Sequence, residues 1–218
     1  MIEYVSIAFM FVSSINFTLL YLLLVKHRLR DVWADSELRC FLAILFFVSI
    51  ITAVVLCFDG LAVEEALRTA LFSVVVLQST TGFTTVDFMM WHPALWMLLS
   101  IVSVIGACAG STSGGLKCVR VLTAVKLVVN EFRQKLHPHA VLPVRIAGNT
   151  LAPGVARSVF VFFVVYFLLI FVSAILMSCM GLPLLDALGL GISAFSNVGP
   201  SIGYAVGPLD SWSALPDA

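Results

Sequence analysis

Charge is scarce in this sequence. Only 11% of its 218 residues are Asp, Glu, Lys or Arg, against 61% hydrophobic. Soluble domains carry about 25% charged and roughly 45–50% apolar residues. With a mean hydropathy of +1.10, the composition excludes a soluble domain and leaves an integral membrane protein. Close metal-type cysteine pairs are missing too. Cys40, Cys57, Cys108, Cys118 and Cys179 are scattered in or near apolar segments and read as inert small apolar residues. No histidine is expected within a membrane helix. His27, His92, His137 and His139 fall in loops or interfacial positions, and His137 and His139 lack a cysteine or carboxylate pair to complete a metal site. An intramembrane serine protease needs a nucleophile and a base at membrane depth. Gly191-Ile192-Ser193-Ala194 is the nearest nucleophile setting and has no such base, so no enzyme is expected. The first apolar run lacks a basic start and its basic flank follows it, unlike a signal peptide. Asn16-Phe17-Thr18 fits a glycosylation sequon but lies inside that run.

What the chain does have is long charge-free runs, at residues 5–25, 40–58, 69–86, 88–116, 158–185 and 187–209. A spanning helix needs about 20 apolar residues. Lys26, Arg28, Arg30 and Arg39 fill one connection; Lys117, Arg120, Lys126, Arg133, Lys135, Arg145 and Arg157 fill another; only Arg68 lies elsewhere. The positive-inside rule places both clusters in the cytoplasm. Asp59, Glu64, Glu65, Asp87, Asp186, Asp210 and Asp217 then fall mainly on an acidic outer face that concentrates cations. Residues 5–25 read as one helix running inward and residues 40–58 as its return. Two apolar runs then separate the clusters, so one of them enters and leaves by the same face. Residues 64–77 read as a short re-entrant helix, and residues 79–85 as the loop climbing back out.

That loop is the most informative stretch: Ser79-Thr80-Thr81-Gly82-Phe83-Thr84-Thr85-Val86-Asp87. Irregular backbone at membrane depth survives only if buried in protein or lining a wet path. Four such loops around one axis replace a cation's hydration shell with carbonyl oxygens. Shifted by 117 residues, Thr80-Thr81-Gly82-Phe83 falls on Asn197-Val198-Gly199-Pro200, Leu67, Ala70 and Leu71 fall on Leu184, Ala187 and Leu188, and residues 41–58 fall on residues 158–175. A glycine-containing turn between helices explains one such loop but poorly explains two at matching positions. Residues 106–115 interrupt the apolar run that follows, because Gly, Ser and Thr disfavour helix, and residues 94–105 are too short to span alone. A helix broken inside a membrane suggests a cavity or gate; the bland alternative is a bent helix with close small-residue packing. Gly110 to Lys117 lacks the Gly-Lys-Ser/Thr ending of a phosphate loop and follows no strand, so no organic cofactor is expected. Lys117 and Arg120 lie one turn apart at the start of the next helix. They either repel cations or pair with a carboxylate when the gate shuts, or else snorkel to the cytoplasmic headgroups. Residues 141–146 and 148–149 read as a short hairpin.

These motifs, with Gly106-Ala107-Cys108-Ala109-Gly110-Ser111-Thr112-Ser113-Gly114-Gly115-Leu116-Lys117 and Ser196-Asn197-Val198-Gly199-Pro200, resemble the potassium uptake proteins of the Trk/Ktr/HKT superfamily, most of all the bacterial Trk membrane subunits. Met10-Phe11, Ile15-Asn16-Phe17 and Glu37-Leu38 share the likeness. The resemblance implies an all-α integral membrane fold of helix–pore-helix–loop–helix repeats. Residues 1–30 become the last helix of one repeat, 31–136 a whole repeat, 137–157 a cytoplasmic loop, and 158–218 an incomplete further repeat. The chain then looks truncated at both ends, and alone would be a non-transporting fragment or scaffold. By resemblance, the carbonyls of Thr80, Thr81, Gly82, Phe83, Asn197, Val198 and Gly199 bind the transported potassium. Gly110, Ser111, Thr112, Ser113, Gly114, Gly115, Lys117 and Arg120 form the gate. The implied partners are the lipid bilayer, the remaining repeats, a second copy in a homodimer and a cytosolic nucleotide-binding regulatory subunit, with no nucleic acid. The implied place is the bacterial inner membrane. A sodium-permeable homologue stays open, although both visible loops keep the filter glycine.

Overall fold

The computed structural model describes residues 2–136, 145–146, 149–150, 153–204 and 206–209. Among these the regular structure is helical, apart from the antiparallel pairing of β1 (Arg145–Ile146) with β2 (Asn149–Thr150). The rest of the expected hairpin, and His137 and His139, lie outside the described residues. The protein is an all-α membrane protein.

The first apolar run does not form the single straight helix its composition suggests. α1 (Ile2–Ser14) stops, α2 (Phe17–Leu24) restarts, and the axis turns by 104°. Asn16 is the cause: its side chain accepts the Thr18 N–H at 2.8 Å and caps α2. Ser13 and Ser14 add to the break by donating their hydroxyls back to the Met10 carbonyl at 2.8 and 2.7 Å, a local bond that competes with the regular helix.

After the short α3 (Leu29–Ala34), Asp35 caps α4 (Ser36–Phe58) by accepting the Leu38 N–H at 2.8 Å. α4 and α8 (Pro153–Cys179) are long and apolar enough to cross a membrane. α8 buries one stripe, Val159, Tyr166, Ile170 and Ala174, and exposes Phe160, Leu168, Phe171 and Ile175 on another face. Such a distribution suits a helix with protein on one side and lipid on the other.

Two shorter helices sit inside this frame. α5 (Val63–Gln78) packs against α4 and α1, and α9 (Leu184–Ser196) packs against α8. At 16 residues, α5 rises about 24 Å, short of the ~30 Å hydrocarbon core. From Phe72 to Gln78 it is buried on every side, so this re-entrant helix ends in protein, not lipid. α5 starts four residues earlier than the 117-residue register predicts from Leu184, and so is about a turn longer than α9. α6 (Pro93–Ile105) packs on α5 and α9, and α7 (Cys118–Leu136) follows it after a non-helical stretch. Arg68 on α5 pairs with Glu3 on α1 and lies 3.9 Å from Glu64, while Tyr4 donates to Glu64 at 2.8 Å.

Candidate functional site: two carbonyl loops and a broken helix

Both short helices end in the same backbone turn. After α5, Thr80 takes φ +55° and Gly82 φ +80°; after α9, Asn197 takes φ +56° and Gly199 φ +106°. The hydrogen bonds match as well. Thr80 N–H donates to Leu77 O at 3.3 Å and Asn197 N–H to Ala194 O at 3.1 Å; Thr81 N–H donates to Val76 O and Val198 N–H to Ser193 O, both at 3.0 Å. Each pair is separated by 117 positions.

This turn uses up N–H groups and leaves oxygens. Among the described residues, no hydrogen bond ends on the carbonyls of Thr80, Thr81, Gly82, Phe83, Asn197, Val198 or Gly199. Unpaired carbonyls away from water are costly. The arrangement can therefore offer neutral oxygen ligands to a weakly hydrated cation. The loops also touch. A Cβ on Gly82 would overlap the Val198 carbonyl oxygen and come within 3.2 Å of Pro200. Thr84 donates its hydroxyl to Pro208 O at 3.0 Å. Among the described residues no cluster of His, Cys, Asp or Glu is arranged for a metal ion.

Between α6 and α7, residues 106–117 fold back on the end of α6. Leu116 N–H reaches Val104 O and Cys118 N–H reaches Ala107 O, both at 2.9 Å. Inside the loop, Ser111 and Ser113 hydroxyls lie 3.0 Å apart, and the Lys117 ammonium donates to the Ser113 carbonyl and, at 3.1 Å, to its hydroxyl. Arg120 donates to Leu116 O at 3.0 Å and stacks 4.2 Å over the Phe162 ring. Both cations are thus engaged by local groups. A cavity of about 560 Å³ opens between α7 and α8, lined by Gly110, Lys117, Arg120, Thr123 and Phe162.

The loop is wedged between the bend in the first run and the two carbonyl loops. On one side Cys108 N–H donates to Ser14 O at 3.2 Å, Thr112 N–H to Ser13 O at 3.3 Å, and Phe17 N–H to Gly110 O at 3.1 Å. On the other side Gly114 N–H donates to the Thr80 hydroxyl at 2.7 Å. A Cβ on Gly114 would overlap Ser196 O and approach Asn197 Cβ at 3.0 Å. The structure therefore brings Thr80, Gly114 and Asn197 together, although they are far apart in sequence.

Other residues fall elsewhere. Asp87 caps a 3₁₀ turn (Phe88–Met90) by accepting Met89 N–H at 2.9 Å, and His92 caps α6. Asp186, expected on an acidic outer face, is buried at 1% exposure in the first turn of α9, against Gly203. The cysteines are free thiols, with Cys108 and Cys118 buried. Glu37 carries no role in the sequence reading beyond its place in a family-like dipeptide. Yet its carboxylate accepts both Ala109 N–H and Val119 N–H. Asp31, Asp35 and Arg39 flank Glu37 in sequence, so it looks like an ordinary charge at the start of an apolar helix.

Residues 1–210 match the family model described as TrkH, cation transport protein. The chain belongs to the TrkH family. It is 33% identical over 205 residues to the Trk system potassium uptake protein TrkH of Halomonas elongata, covering 94% of this chain and 42% of that protein. It is 32% identical over 213 residues to TrkH of Escherichia coli K12, covering 94% and 44%. The crystal structure of the potassium transporter TrkH from Vibrio parahaemolyticus superposes with a TM-score of 0.88 at 30% identity, covering 94% of this chain and 45% of that one. The chain thus spans less than half the length of these TrkH-family relatives.

Proposed function

We propose that this chain supplies two selectivity-filter segments to a potassium uptake pore in a cell membrane. Its relatives are named as potassium uptake proteins and not as enzymes, which supports transport. The observation that carries the reading is the pair of matched loops. Both turn their N–H groups back onto a short helix and leave Thr80–Phe83 and Asn197–Gly199 carbonyls without hydrogen bonds among the described residues. Carbonyl dipoles compensate a large, weakly hydrated cation well, and the helix C-termini behind them add partial negative charge. Glycine at both matching positions, Gly82 and Gly199, favours potassium over sodium.

In this reading residues 31–136 form one helix–pore–helix repeat, and residues 158–218 begin the next. The loop at residues 106–117 gates the pore from the filter's inner side, with Gly110 to Gly115 as its moving part and Lys117 and Arg120 at its hinge. Basic clusters at Lys26–Arg39 and Lys117–Arg157 set the inward face. A cytosolic nucleotide-binding subunit and a second copy of the polypeptide complete the assembly in a bacterial inner membrane. The test is Gly82→Ser in the native polypeptide that carries this chain. The added side chain meets Val198 and disturbs the carbonyls of both loops. Potassium uptake in competition with sodium should lose selectivity. An unchanged ratio at normal expression would take Gly82 off the ion path.

A further inference from the structure

Glu37 takes no part in the filter, yet it is buried at 8% exposure in the first turn of α4. An acid at a helix N-terminus ordinarily stays in water, where the helix dipole already favours it. Burying a carboxylate is unfavourable unless its oxygens are hydrogen-bonded. Here a single oxygen, Oε1, accepts Ala109 N–H at 2.5 Å and Val119 N–H at 3.0 Å. These donors belong to opposite limbs of the broken helix. Ala109 lies on the descending limb, next to Gly110, whose carbonyl holds Phe17. Val119 lies in the first turn of α7, where backbone N–H groups have no acceptor within the helix and an anion is favoured. α4 itself is fixed by the Asp35 cap. The carboxylate therefore ties a rigid spanning helix to both limbs of the loop at once.

We propose that Glu37 is a positioning residue for the intramembrane loop. Its carboxylate clamps the two limbs together and so sets where Gly114 meets Thr80 and Asn197. The consequence for transport rests on the gate reading of residues 106–117; the clamp itself does not. Hydrogen exchange read by mass spectrometry, on the native polypeptide in lipid nanodiscs, separates the two. Charge-assisted hydrogen bonds are the strong class, so Glu37→Ala should raise exchange in peptides covering residues 106–120 by on the order of tenfold. Glu37→Gln keeps an acceptor without the charge and should raise it by roughly threefold. Peptides from α5 should be unaffected, which separates local release from unfolding. Maximal potassium uptake should change in both variants, while the potassium-to-sodium ratio holds. Unchanged exchange over residues 106–120 in Glu37→Gln overturns the clamp, even if Glu37→Ala fails to fold. Raised exchange with wild-type uptake supports the clamp and removes the gate reading of the loop.

Discussion

At Thr80 and Asn197 the chain makes the same left-handed turn with different residues. Asparagine tolerates that conformation; a β-branched threonine strongly disfavours it. The surroundings differ as well. Gly82 has its neighbour loop's carbonyl against it, while nothing lies within 4 Å of a Cβ placed on Gly199. Gly199 N–H is held by the Ser193 hydroxyl at 3.1 Å, whereas the position matching Ser193 in the first loop is Val76, which has none. Thr80 in turn has the Gly114 N–H bonded to its hydroxyl. The first loop is thus held by the second loop and the broken helix, besides its own Ser79, whose hydroxyl donates to Val76 O at 3.2 Å and lies 2.7 Å from the Thr81 hydroxyl. The second is held more by its own short helix. Similar backbone geometry can rest more on local chemistry in one copy and more on tertiary contact in the other.

The sharpest way to break this comparison is alanine at both glycines. Gly82→Ala must push the Val198 carbonyl aside, so uptake should fall most and selectivity with it. Gly199→Ala meets only backbone strain of about 1–2 kcal/mol, so its loss should be smaller. Ion-competition uptake measures both, and equal losses would erase the asymmetry. Next come Gly114 and Gly110. A methyl on Gly114 strikes the second loop's Ser196 carbonyl, so Gly114→Ala should shift ion preference as well as flux. The nearest atoms to a methyl on Gly110 belong to the Asn16 side chain, at 3.1 Å. Gly110→Ala should mainly lower thermal stability, by about 1–2 kcal/mol for its left-handed backbone, and leave ion preference alone. The smallest effect is expected from Ser193→Val, which makes the second loop resemble the first. Losing one neutral hydrogen bond should lower stability by about 1 kcal/mol, readable as a small drop in the midpoint of thermal unfolding.

Much of this was legible in the sequence, for physical reasons. The two loops could be aligned because glycine and small polar residues are so improbable at membrane depth that their spacing stands out. The re-entrant helix, expected over residues 64–77, forms as Val63–Gln78. The interruption after Ile105 was legible from Gly, Ser and Thr. The bend at Asn16 was not. Hydropathy averages over a window, and one capping asparagine among apolar residues hardly moves it, although it turns the axis by 104°. Glu37 was hidden for the opposite reason: it sits in a charged flank where an acid looks ordinary, and only tertiary structure brings Ala109 and Val119 to it. The direct touch of Gly114 on both loops was equally invisible, because it joins three segments that no periodicity links.

The bend has a mechanical consequence. α1 is a rod of 13 residues, about 20 Å long. One end is bolted to the re-entrant helix through Glu3–Arg68 and Tyr4–Glu64. The other end presents the carbonyls of Ser13 and Ser14, which a helix terminus leaves without internal donors. Thr112 and Cys108 fill them. Had the chain continued straight through Asn16, those oxygens would have been consumed inside the helix. By stopping short, the rod gains a socket for the loop. A displacement of the loop would then pull along α1 toward the entrance of α5, some five helical turns from the Thr80 carbonyl.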